Sequence, residues 1–155
     1  MMFDKKFDRF EIGETWRSRG RTITEADIVM FSAFSGDWYP LHTDKEYAEN
    51  NTPFKQRIAH GMLVLSAATG LQVMEPEIIV AFYGIENLRF IHPTFINDTI
   101  HVELEVTDLQ DKRNGTGVVT ATQKIVKQTG ETVTTGVLKV LINKEGVALQ
   151  ERGSA

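Results

Sequence analysis

The segment Gly61-Met-Leu-Val-Leu-Ser-Ala-Ala-Thr-Gly-Leu-Gln-Val73 decides the fold. Its apolar residues occupy every side and it carries no charge, so it predicts a helix buried on most faces. Such a helix needs a sheet to wrap around it, and the second half of the chain supplies the strands. They read as Ile78 to Phe82 extended into Ile85 to Ile91, then Thr99 to Thr107 with alternating Ile100, Val102, Leu104 and Val106, then Gly117 to Val126, then Thr132 to Ile142. The alternation predicts one face in the core and one face wet. Asp111-Lys-Arg-Asn-Gly115 and Lys127-Gln-Thr-Gly130 have turn composition and join consecutive strands as hairpins. A further strand is expected near Thr15 to Thr22.

Helical signals precede the central helix. Thr24 followed by Asp27 reads as an N-cap with an acid at the third helical position, and Ala26, Val29, Met30, Ala33 and Phe34 recur at helical spacing. The helix is expected from about Glu25 to Phe34, stopping at Gly36. Thr43 is expected to cap a short helix from Asp44 to Glu49, whose first turn carries acids where the helix dipole favours them. Helices first and strands second give an α+β class.

Between these helices lies Ser35-Gly36-Asp37-Trp38-Tyr39-Pro40-Leu41-His42-Thr43-Asp44. Its Gly and Pro make it a poor helix or strand, and Pro40 pushes Tyr39 out of the α region, so a defined turn is expected. In such a turn Asp37 and His42 can converge on one small ligand such as a water. The alternative is that Asp37 only bonds backbone amides of the turn, with His42 filling space. A second polar feature weighs against that: Ala59-His60-Gly61-Met62 opens an uncharged helix, whose unpaired first amides can hold a developing oxyanion. An acid/base pair beside an oxyanion site equips a protein for chemistry next to a carbonyl.

The other histidines weigh less. For His60 a structural role, orienting the approach to the helix, is favoured over direct chemistry. His92 before Pro93 ends a strand or lines a groove, and His101 is expected to face solvent.

Composition excludes several classes. The chain has 155 residues, 41% hydrophobic and 25% charged, which fits a single domain over residues 1–155. A net charge of −4 without a long basic run argues against nucleic acid or an anionic membrane as partner. With no cysteine there is no disulfide framework, thiol nucleophile or thiolate metal site. The first residues do not read as a signal peptide and no stretch is apolar enough to span a membrane, so the cytoplasm is the default compartment. A metal site from Asp37, His42 and Asp44 lacks a fourth ligand at convincing spacing, so no metal is expected.

The turn GDWYPLHTD resembles the Gly-Asp-x-Asn-Pro-x-His signature of the MaoC-like dehydratases and R-specific enoyl-CoA hydratases. RIAHGMLVLSAATGL resembles their central-helix segment, and Asn87 to Thr99 resembles the strand leading into their Gly-Asp-Thr turn, here Asn97-Asp98-Thr99. The resemblance covers about residues 10 to 142 and implies a hot-dog fold, a central helix wrapped by a curved antiparallel sheet. It implies an acyl-CoA substrate, no cofactor, and a homodimer or larger homo-oligomer with the pocket near the dimer interface.

By the same resemblance Asp37 and His42 are the catalytic pair and the Gly61 amide binds the thioester oxygen. Tyr39, Trp38, Thr69, His60 and Met62 are candidates for the substrate pocket. Thr69 stands where the family often has a Ser, though a Thr bonding back to a helix carbonyl is the plainer reading. Tyr39 replaces the usual Asn, and either substitutes a hydroxyl for a small amide or narrows the pocket; with Trp38 it could equally staple the turn to the core. The implied activity is hydration of an enoyl-CoA or the reverse dehydration. Hot-dog thioesterases are the nearest alternative, but they commonly carry an acid on or beside the central helix, and here Glu75 lies beyond its end. A non-catalytic acyl-CoA-binding subunit is the other.

Overall fold

The computed structural model describes residues 3–146. After a 3-10 turn at Phe7–Arg9 come short strands β1 (Thr15–Arg17) and β2 (Arg21–Thr22), then helices α1 (Glu25–Ser35), α2 (Pro40–Thr43), α3 (Lys45–Asn51) and α4 (Gly61–Leu71). Four long strands follow: β3 (Ile79–Phe90), β4 (Thr99–Asp111), β5 (Thr116–Lys127) and β6 (Thr132–Asn143). They form one antiparallel sheet in the order β1-β4-β5-β6-β3, with β2 also paired to β4.

The register puts apolar side chains on one face. Ile100, Val102, Leu104 and Val106 of β4 are buried beside Ala121, Val119 and Ile125 of β5 and Leu138, Val140 and Ile142 of β6. Leu63, Val64, Ala67, Ala68 and Leu71 of α4 enter the same core. This is the α+β, hot-dog arrangement expected from the sequence. Both hairpins form where expected, and each closes on a glycine with positive φ: Gly115 at 83° and Gly130 at 86°, a conformation that a Cβ disfavours.

Several expectations are corrected. The central helix ends at Leu71, and Met62, Ser66, Thr69 and Gly70 leave one stripe of it exposed. The sheet wraps one side of α4, so its uncharged outer stripe stays open in a single chain. In α1 the buried residues are Ile28 and Ser32, while Val29, Met30 and Phe34 are exposed, Phe34 at 89%. Two stripes of this helix share helical spacing, and periodicity alone does not choose which one meets α4. The strand expected at Thr15 to Thr22 is split, because Ser18 leaves the ladder to exchange bonds with Val102: its N–H donates at 2.9 Å and its Oγ accepts at 2.8 Å. His101 does lie off the core face, opposite Val126, but it is buried, with Nε2 3.0 Å from Glu103 Oε1.

The cap of α3 is also different. Asp44, not Thr43, is the N-cap, accepting from the Tyr47 N–H at 3.0 Å. Thr43 ends α2, and its hydroxyl donates back to the carbonyls of Trp38 and Tyr39 at 3.1 and 3.3 Å.

Candidate active site

The turn carrying Asp37 and His42 is pinned at both ends. At the start, the capping box expected from Thr24 and Asp27 is present, and α1 stops on Gly36 at φ 77°, whose N–H donates to Ser32 O at 2.9 Å. Asp37 follows, with Oδ1 accepting from the Tyr39 N–H at 3.2 Å and its side chain 50% exposed. The turn then closes into one helical turn, which the sequence did not suggest: Pro40 occupies the first helical position of α2, where its missing N–H costs nothing. That turn aims His42, whose Nδ1–H donates to Ile58 O at 2.8 Å. The Nε2 lone pair of His42 is left for chemistry.

His60 stands behind both. Its Nε2–H donates to the Asp37 carbonyl at 3.0 Å, with Ser32 Oγ at 3.3 Å, and its ring stacks on His42 at 3.9 Å between centroids. It is 2% exposed. Burial pushes its imidazole below the ordinary histidine range, outweighing the raising effect of the Asp37 carbonyl, and nearby His42 lowers it further. His60 is therefore neutral at pH 7.

His60 is also the N-cap residue of α4, and it caps with no side-chain bond. The first amides of the helix, Gly61's included, have no partner within it and carry its positive dipole end. A side chain at 61 would strike Phe90, whose ring carbons lie 2.7 Å from an ideal Cβ position. Glycine lets the helix start and β3 close over one another here.

These groups line one cleft of about 330 Å³. Asp37, His42, His60, Gly61 and Met62 line it together with Phe90, Ile91, His92 and Pro93. His92, read as either a strand end or a groove residue, lines the groove. Trp38, Tyr39 and Thr69 do not line it. Tyr39 instead meets His42 edge-on at 6.2 Å and brings its hydroxyl to 3.5 Å from that of Tyr47. Thr69 Oγ1 donates to Leu65 O at 3.2 Å, the plainer of its two readings. Glu75 is not among the lining residues either.

The loop after β3 is fixed by a group that sequence reasoning missed. Lys127, buried at the end of β5, donates to Pro93 O at 3.2 Å and pairs with Glu131 at 2.6 Å and Asp98 at 3.6 Å. The Lys127 ammonium holds the Glu131 carboxyl below its usual range. Asn97 has φ 74° where the family turn has Gly, and Asn tolerates that region better than most side chains. Nothing local marks Lys127, or Phe54 and Phe90 of the cleft, in the sequence; a charged residue at a turn reads as solvated.

One donor atom each from Asp37, His42 and His60 lies within 4.8 Å of the other two. As bonded, the set suits a metal poorly: His60 Nε2–H is donated to Asp37 O and His42 Nδ1–H to Ile58 O. The His60 nitrogen that lies 4.0 Å from Asp37 Oδ2 is thereby protonated and cannot ligate as bonded.

Comparison with known proteins agrees with this architecture. The profile of the MaoC like domain matches residues 9–129. The chain belongs to the MaoC-like family. Among its relatives, Protein MaoC of Klebsiella aerogenes is 44% identical over 105 residues, 66% of this chain and 30% of that protein. The (R)-specific enoyl-CoA hydratase of Rhodospirillum rubrum is 40% identical over 59% of this chain and 63% of its own length. That of Aeromonas caviae is 33% identical over 81% and 90%. The chain thus spans under two thirds of the first two relatives and most of the third. Among solved structures, a monoamine oxidase regulatory protein from Archaeoglobus fulgius superposes with TM-score 0.84 at 40% identity, covering 90% of this chain and 95% of the other. The R-hydratase PhaJ1 of Pseudomonas aeruginosa superposes with TM-score 0.72 at 32% identity, covering 97% and 96%.

Proposed function

We propose that this MaoC-like chain, acting as one hot-dog domain, is a hydro-lyase that adds water across the C2=C3 bond of an enoyl-CoA thioester. The product is an (R)-3-hydroxyacyl-CoA, and dehydration is the same path reversed. The observation that carries this reading is the meeting of Asp37, His42 and the uncapped Gly61 amide in one cleft. Relatives named as (R)-specific enoyl-CoA hydratases support it.

The chemistry follows from the charges that must move. As water oxygen adds to C3, negative charge develops on the thioester oxygen, and the Gly61 amide at the positive end of α4 stabilises it. Asp37 and His42 grip the water between them, one withdrawing a proton and the other delivering one to C2. The Ile58 carbonyl holds His42 in the tautomer whose Nε2 is an acceptor. Metal is not required by this scheme, because the helix end and the acid/base pair supply the charge stabilisation and proton transfer.

The same reading includes a homodimer. Strand β3 is one edge of the sheet and carries exposed Phe82, Tyr83 and Phe90. An open apolar edge invites another strand, and Phe90 also lines the cleft. Loss of enoyl absorbance on adding the purified chain to 2-enoyl-CoA, with the chirality of the hydroxy product, tests the activity. Steady thiol release without that loss would contradict it.

A further inference from the structure

His60 presents a puzzle of economy. Its ring is buried, one nitrogen is committed to Asp37 O at 3.0 Å, and the other, Nδ1, has no hydrogen-bond partner. An empty buried acceptor is costly, and a phenylalanine would fill the same space without it. The Nε2–H must therefore matter where it points. It points to the backbone of the turn that holds Asp37, while the ring face lies against His42 with an interplanar angle of 29°. On its other side the ring meets Phe31 at 5.0 Å, and Gly61 is the next residue in the chain.

One imidazole thus touches every part of the proposed machinery. His42 is otherwise held at its ring by one hydrogen bond, to Ile58 O, and an edge contact with Tyr39; the stacked His60 ring adds the face contact that fixes its plane. We propose that His60 is a positioning residue, fixing the Asp37 main chain and the plane of His42 relative to the Gly61 amide so that all three meet one substrate. This rests on the hydratase reading. The ring serves as a neutral spacer: Asp37 from the turn and His42 from α2 are the ionisable groups that face it, and Phe31 and Ser32 from α1 bring no charge. A cationic His60 beside His42 would set two like charges face to face.

Two variants separate the two contacts. His60→Gln keeps an amide donor near the Nε2 position and loses the ring; His60→Phe keeps the ring and loses the donor. Each is expected to lower kcat by about 10- to 100-fold, the cost of a small misplacement of reacting groups, with KM for enoyl-CoA changed by less than about threefold. Each should keep more activity than His60→Ala. A kcat within about twofold of the native enzyme in either folded variant would overturn the proposal, as would a loss confined to KM.

Histidine nitrogen spectra of the native chain supply a second test that needs neither folding of a variant nor activity. The expected spectrum shows His60 as the Nε2–H tautomer at pH 7, taking up its proton at lower pH than an unperturbed histidine. An ordinary titration, or the Nδ1–H tautomer, would overturn the positioning role. Absence of turnover with the expected spectrum would instead overturn the hydratase reading alone.

Discussion

The imidazole of His42 stacks on that of His60 at 3.9 Å, so the reactive and the buried histidine share one face. Stability should depend on pH through the buried member. The folded value of His60 lies below its unfolded value of about 6.5. Above that pH the ring is neutral in both states and its contribution is fully present. As pH falls, the unfolded chain binds the proton first and stability is lost progressively toward the folded value. Urea unfolding at pH 7.5 and pH 5.5 should show this fall, and it should be smaller in His60→Phe.

Gly61→Ala forces a methyl into the Phe90 ring, which lies 2.7 Å from the ideal Cβ position. The ring is half exposed and can yield, so the protein should fold. The helix start and its amide shift instead, and kcat should fall by about 10- to 100-fold. A second change, Phe90→Leu, should recover part of the loss in steady-state assays.

Gly117→Ala tests the core away from the cleft. Its Cβ would overlap the Phe7 ring, which is buried against the sheet. Overpacking of this kind costs about 1–3 kcal/mol, readable as a lower denaturation midpoint. Turnover per folded molecule should be unchanged.

Thr24→Ala removes the hydroxyl that accepts from the Asp27 N–H and donates to its carboxylate. A lost N-cap costs about 1 kcal/mol, measurable by thermal or chemical unfolding. The capping box anchors the helix that runs into the Asp37 turn, so the loss should appear in stability before activity.

Most of the fold was legible because two periods dominate the chain. The uncharged run from Gly61 and the alternation of Ile100, Val102, Leu104 and Val106 each allow one solution, a helix against one face of a sheet. The hairpins were legible from Gly115 and Gly130. Less legible was which side of α1 is buried, since Val29, Met30 and Phe34 form as regular a stripe as Ile28, Phe31 and Ser32, and only packing against α4 chooses. The cleft itself was half legible. Asp37, His42 and Gly61 are marked by turn and helix-start chemistry, whereas Phe90 reaches it from a strand distant in sequence and Lys127 acts only through the Pro93 carbonyl. His60 was read as structural, and its contacts run to both members of the proposed pair. Tyr39 and Trp38 are adjacent to the site in sequence but lie outside the cleft.

The measurement that tests the central proposal most directly is single-wavelength hydration of a 2-enoyl-CoA by the native chain, Asp37→Asn and His42→Ala, each confirmed folded. The account predicts turnover by the native chain and a loss of about two to four orders of magnitude in each variant, the usual size of an acid/base contribution. Near-native turnover by either folded variant would contradict it.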